Sequence, residues 1–138
     1  MINLRVERTG RIANMAVNYE IQLAENDVTV ASLTGQLNLG NRLMDFEHQI
    51  KQRIEEGSRK MVLDLSGLTY IDSAGLGMVA TCAGIMVKAG GKFAVVVAGG
   101  KIAHMFEITR LNRVIGVFPD LTSATAAVSG PSKAAPGA

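Results

Sequence analysis

One short segment brings the chemistry-bearing residues of this chain together: Asp72-Ser73-Ala74-Gly75-Leu76-Gly77. It follows an apolar run, Met61-Val-Leu-Asp-Leu65, and opens a longer apolar stretch of helical character. A hydroxyl at such a junction sits where a helix N-terminus gathers unpaired N–H groups and partial positive charge. That place suits a phosphate. On residue types alone it suits a plain helix cap better, because Asp and Ser are both favoured there. The residue types leave both readings open.

Other chemistries fit the same residues less well. Gly75-x-Gly77-x-x-Ala80 has the form of a dinucleotide fingerprint, but no acid lies in residues 95–100, where a ribose ligand is expected. Ser73-x-Gly75 is half of a nucleophile elbow, with Ile71 in the first glycine position. No Asp or Glu stands between Ser73 and His104, so the order serine, acid, histidine fails. Gly100-Lys101 has no glycine five positions upstream and is not a P-loop. Asp64 ends a strand, but no acidic pair ends an earlier strand to hold the metal of a receiver-type phosphoaspartate. Asp64 is expected to hydrogen-bond the following loop. His48 and His104 are too far apart for metal-ligand spacing.

Composition narrows the class. The chain has 138 residues, 48% of them hydrophobic and 19% charged, as in a soluble domain with a proper core. Net charge is only +2, Trp is absent and aromatics are 4%, against the basic, aromatic face of a nucleic-acid binder. The single cysteine, Cys82, excludes an internal disulfide and reads as a small core residue. Residues 76–87 form the longest apolar stretch, too short to span a bilayer. The first residues carry Arg5, Glu7, Arg8 and Arg11 without the apolar run of a signal peptide, so a cytoplasmic protein is expected.

The elements that must position the segment are legible from periodicity. Val17, Tyr19, Ile21 and Leu23 alternate with polar residues, a half-buried strand. A turn at 24–27 leads to a second strand, 28–33, and the two form a hairpin. Ile2, Leu4 and Val6 also alternate and suggest a further strand in an N-terminal extension, 1–15. Residues 41–56 read as a helix striped by Leu43, Phe46, Ile50 and Ile54, with a Glu47/Lys51 pair and a C-terminal Gly57. Strands are expected at 60–65, 93–97 and 114–117, and helices at 73–89, 101–108 and from an Asp120 cap to Val128. Strands alternating with helices after a hairpin imply an α/β sandwich on a mixed sheet with about four helices. One domain, 1–128, is followed by a flexible tail, 129–138, lacking large apolar residues.

These residues resemble the anti-sigma-factor antagonists, bacterial proteins built on the STAS domain. Residues 72–77 match the Asp-Ser-Ser/Thr-Gly-Leu-Gly signature of that family. The resemblance runs from about Asp27 to Val128 and includes Leu33-Thr-Gly-Gln-Leu37, Val62-Leu-Asp-Leu-Ser-Gly-Leu68, Gly90-Gly91-Lys92 and residues 106–111. It implies the STAS fold, and binding in place of catalysis. It implies that Ser73 is phosphorylated by an anti-sigma factor that is also a serine kinase, and that a serine phosphatase resets it. Asp72 and Gly75 would support the phosphosite. No cofactor or metal is implied in this chain, ATP being bound by the kinase. Neither membrane insertion nor direct nucleic-acid contact is expected, and a homodimer is compatible with the pattern.

Two departures from the family pattern bear on the partner. Ala74 replaces the second hydroxyl, leaving Ser73 as the single candidate in the signature. Gln36 and Asn38 stand where the family often carries acids. An unphosphorylated STAS scaffold or transport-system subunit, and a small-ligand-binding STAS domain, are therefore kept as alternatives. The partner surface is placed on Gln36, Asn38 and the second helix. On that helix Leu76, Val79, Ala80, Ala83 and Val87 are expected against the sheet. Gly77, Thr81, Gly84 and Lys88 would face out, flanked by Met78 and Ile85. Two interior glycines each cost about 1 kcal/mol of helix propensity. Either a partner's approach or tight packing within the chain would explain them.

Overall fold

A computed structural model describes residues 17–130. The alternation at Ile2, Leu4 and Val6 and most of the expected tail lie outside the described residues. Five strands, β1 (Asn18–Leu23), β2 (Thr29–Leu37), β3 (Lys60–Ile71), β4 (Lys92–Val96) and β5 (Gly116–Phe118), form one sheet in sequential order. β1 and β2 are the antiparallel hairpin; β2, β3, β4 and β5 are parallel neighbours. Each parallel connection carries a helix: α1 (Asn41–Glu55), α2 (Ser73–Lys88) and α3 (Gly100–Ile108). A last helix, α4 (Leu121–Ser129), follows β5. The mixed sheet with four helices is the α/β sandwich expected from the pattern.

Period two on the strands sorts the core into two layers. Leu33, Leu37, Leu63, Leu65, Ile71 and Val95 pack under α1 and α2, joined by Phe106 of α3. Val28, Val30, Val62, Ala94 and Val96 point the other way and meet Ala124 and Val128 of α4. The α1 stripe of Leu43, Phe46, Ile50 and Ile54 is buried as its spacing dictates. The helix closes with paired bonds from Gly57 N to Ile54 O (3.1 Å) and Ser58 N to Arg53 O (3.0 Å). The Glu47/Lys51 pair forms at 3.2 Å.

Several boundaries differ from the sequence expectation. β2 runs on past Leu33 to Leu37, and β3 past Leu65 to Ile71. Residues 66–69 read as a loop because polar and glycine residues interrupt the apolar run. They hold the sheet because β2 and β3 pair across two register shifts, which return Leu37 and Ile71 to the core side. The strands pinch there, and only a glycine fits at 67. A Cβ would lie 2.8 Å from Thr34 Cγ2 and 2.9 Å from Leu33 O. Near the C-terminus, Val114 follows a short 3₁₀ turn that Ile115 N closes on Leu111 O (2.8 Å), so β5 starts only at Gly116. Ser129, expected in the tail, ends α4.

Candidate functional site

Leu37 and Ile71 form the last pair of the β2/β3 ladder. Because the two strands are parallel, the chain leaves both at the same end of the sheet, the end at which open α/β sheets place their sites. The loop after β2 and the start of α2 are therefore neighbours. Asp72 N donates to Leu37 O at 3.2 Å. The Asp72 carboxylate caps α2 by accepting from Gly75 N at 2.8 Å through Oδ1, and accepts from Leu39 N at 3.1 Å through Oδ2. One side chain thus caps the helix and holds the neighbouring loop. Partial desolvation pulls this carboxyl upward, but the N–H groups of Gly75, Leu39 and Ala74 outweigh it and hold it below its ordinary value.

Gly75 is required by this junction. A Cβ there would stand 2.5 Å from Leu37 O and 2.8 Å from Ile71 Cγ1. Ser73 is the first residue of α2 and is exposed. Gln36 and Asn38 are half-buried, Gln36 beside Tyr70 in the ladder and Asn38 between the two residues tied to Asp72. Sequence reasoning overlooked two apolar side chains here, Leu39 and Met44, which are 73% and 61% exposed. An apolar residue in a Gly/Asn-flanked loop is the signal that marked Leu39.

At about 100° per residue, Ser73, Gly77, Thr81, Gly84 and Lys88 fall on one side of α2, and all five are exposed. Nothing lies within 4 Å of a Cβ built on Gly77 or Gly84. Of the two explanations for these glycines, packing within the chain finds no partner among the described residues. Met78 was expected at the rim of this face and is instead buried at 3% exposure. Val87, expected on the sheet, is 63% exposed. The buried band of Gly75, Leu76, Met78, Val79, Cys82, Ala83 and Met86 is turned roughly 75° about the axis from the expected one. α2 packs on α1 as well as on the sheet, and apolar residues occur almost all around it, so period alone did not set its rotation. Ile85 is half-buried against the core at the edge of the exposed face.

The remaining candidates have structural roles. Cys82 is fully buried, and burial pushes its thiol up to about 12, so it is no nucleophile. Asp64 accepts from Ser66 N (3.0 Å) and Ser66 Oγ (2.6 Å), holding the following residues as expected. His104 is exposed, 3.8 Å from Glu107. Among the described residues no cluster of three or more His, Cys, Asp or Glu could hold a metal, and no helix is long and apolar enough to cross a membrane.

Comparison with known proteins agrees with this arrangement. The STAS domain family matches residues 20–124. BtrV of Bordetella bronchiseptica, named as an anti-sigma factor antagonist, is 30% identical over 100 residues, covering 72% of this chain and 83% of its own. The crystal structure of a Thermotoga maritima protein named in the same way superposes with a TM-score of 0.74 at 23% identity, over 81% of this chain and 95% of that one. The Bacillus cell fate determinant SpoIIAA in its phosphorylated form superposes at 0.65 with 16% identity, over 80% of this chain and 99% of that one.

Proposed function

Since the chain belongs to the STAS domain family of anti-sigma-factor antagonists, we propose that it is a binding protein switched by phosphorylation of Ser73. Unphosphorylated, it docks an anti-sigma factor that is also a serine kinase, and so releases a sigma factor. That kinase transfers the γ-phosphoryl group of ATP to Ser73 Oγ, and a serine phosphatase removes it. The exchange takes place in the cytoplasm.

The observation that carries this reading is the placement of Ser73. Its hydroxyl opens an exposed helical face whose glycines have no partner among the described residues. Close approach of another protein accounts for bare backbone there. The face is Gly77, Thr81, Gly84 and Lys88, bordered by Ile85, with Gln36, Asn38 and Leu39 at the Ser73 end. A phosphate adds about −1.5 to −2 charge at neutral pH. A helix start tolerates that charge, so the free domain keeps its fold. Asp72 is ionised and already takes the N–H groups of Gly75 and Leu39. In a closed interface the phosphate would face that carboxylate and lose its water, which expels the partner. That the Bacillus fold neighbour was solved in a phosphorylated form supports the reading.

Incubation with the cognate kinase and ATP should add one phosphate by mass spectrometry, and Ser73→Ala should abolish it. Ser73→Asp should weaken binding of that kinase more than tenfold, about 1.4 kcal/mol, with little change in melting temperature. Ser73→Ala should bind normally. Equal affinities for the two variants would sink the charge switch. The uncharged Gln36 and Asn38 favour one competing reading, a STAS subunit that binds without being phosphorylated. Partner binding with no phosphate uptake would select it.

A further inference from the structure

β5 has only three residues and pairs with Ala94, Val95 and Val96 of β4. Lys92 and Phe93, the first two residues of β4, therefore have no strand on their outer side. The ends of α2 and α4 stand on either side of this notch without filling it. The resulting cavity holds about 350 Å³, within the roughly 300–1,000 Å³ of small-ligand sites. Its walls are Val87, Phe93, Ala94, Phe118, Ala127 and Val128, with Gly91 and Gly116 at the backbone. Lys92 is the single charged side chain among the lining residues and is half-buried. Across Val87 lies a second apolar groove of about 270 Å³, formed with Ala80, Gly84, Val114 and Ile115. Val87, 63% exposed, is the ridge between them, and Val114, 75% exposed, lines the second groove. The location is away from Ser73, and the inference does not depend on phosphorylation.

We propose that this notch binds a single-chain carboxylate amphiphile, its alkyl chain on the apolar walls and its carboxylate on Lys92 Nζ. Charge complementarity selects the head group. Lys92 supplies one positive charge, and Lys60, its register partner on β3, brings a second to the end of α4, so the head group is an anion. The end of α4 would repel an anion through its free carbonyls, but one of these is engaged. Ser129 O accepts from Lys60 Nζ at 3.3 Å. A chain longer than the notch continues over Val87 into the second groove, which borders the exposed face of α2 at Gly84.

Octanoate titrated into the full chain tests the proposal by amide NMR. Resonances of Val87, Ala94, Gly116 and Val128 should move together and saturate. Lys92→Glu should weaken binding at least tenfold, and Lys92→Met, which keeps an apolar stem, should weaken it in the same direction. Ala127→Trp, an exposed position on α4, should fill the notch and abolish the shifts. All three variants should melt within a few degrees of the parent, so that loss of binding is not loss of fold. The proposal is overturned if octanoate produces no shifts up to about 1 mM, or if octylammonium binds as well. It is equally overturned if Ala127→Trp leaves binding intact. A dimer by sedimentation that Ala127→Trp disrupts would show that a second copy occupies the notch, and would also overturn it.

Discussion

Alanine placed at three glycines of one helix should have opposite effects. In an exposed helix interior, Gly→Ala stabilises by about 0.5–1 kcal/mol, because the unfolded chain loses freedom and the helix gains a better former. Gly77 and Gly84 meet that condition, with open space where the Cβ would go. At Gly75 the same methyl would stand 2.5 Å from Leu37 O and 2.8 Å from Ile71 Cγ1. The first of these is backbone, held by Asp72 N at 3.2 Å. The helix start must therefore move outward by several tenths of an ångström. Overpacking of that kind costs about 1–3 kcal/mol. The shift also stretches the bonds from Asp72 N to Leu37 O and from Leu39 N to the Asp72 carboxylate, each contributing about 1 kcal/mol. Gly75→Ala should thus destabilise by about 2–4 kcal/mol and Gly77→Ala should stabilise. Urea denaturation of the three variants, with equal m-values as the check on two-state behaviour, measures both signs. A Gly75→Ala variant within about 0.5 kcal/mol of the parent would show that the junction is loosely packed and refute the account of the site. Destabilisation by Gly77→Ala would show that something in the same chain covers that face.

Asp72→Asn should remove part of the acid sensitivity of the fold. The Asp72 carboxyl is depressed in the folded state, so its contribution is present above the unfolded value and lost as pH falls through the folded one; paired pH titrations of stability should differ only in that acidic window. Met78→Ala should cost about 2–5 kcal/mol by thermal or urea unfolding, as a buried residue does, which would separate it from the exposed positions around it. Thr81→Arg should lower partner affinity more than tenfold, about 1.4 kcal/mol, in calorimetry while leaving stability nearly unchanged. Unchanged affinity would move the interface off α2. Cys82 should resist thiol reagents in the native state and react only at the rate of unfolding, since its thiol is buried and pushed up to about 12; rapid native labelling would contradict the packing of α2 on α1.

The local features were set by the sequence itself. Alternation in residues 17–23, the α1 stripe, the Asp72 and Asp120 caps and the exposed serine at a helix start depend on interactions within a few residues, which order along the chain records directly. Family resemblance through residues 72–77 implied Ser73 as a phosphosite, a reading that chemistry alone ranked behind a plain cap. Three things waited for the tertiary structure. β3 extends to Ile71 because β2 is there to pair with it through two register shifts, and a glycine that reads as a loop residue is needed where the strands pinch. The rotation of α2 came from the presence of two packing partners, sheet and α1. A helix apolar on nearly every side carries no periodic signal to choose between them, so Met78 and Val87 exchanged their expected places. The link from Asp72 to Leu39 spans 33 positions in the chain. It exists because parallel β2 and β3 end side by side, a juxtaposition that only the closed sheet creates.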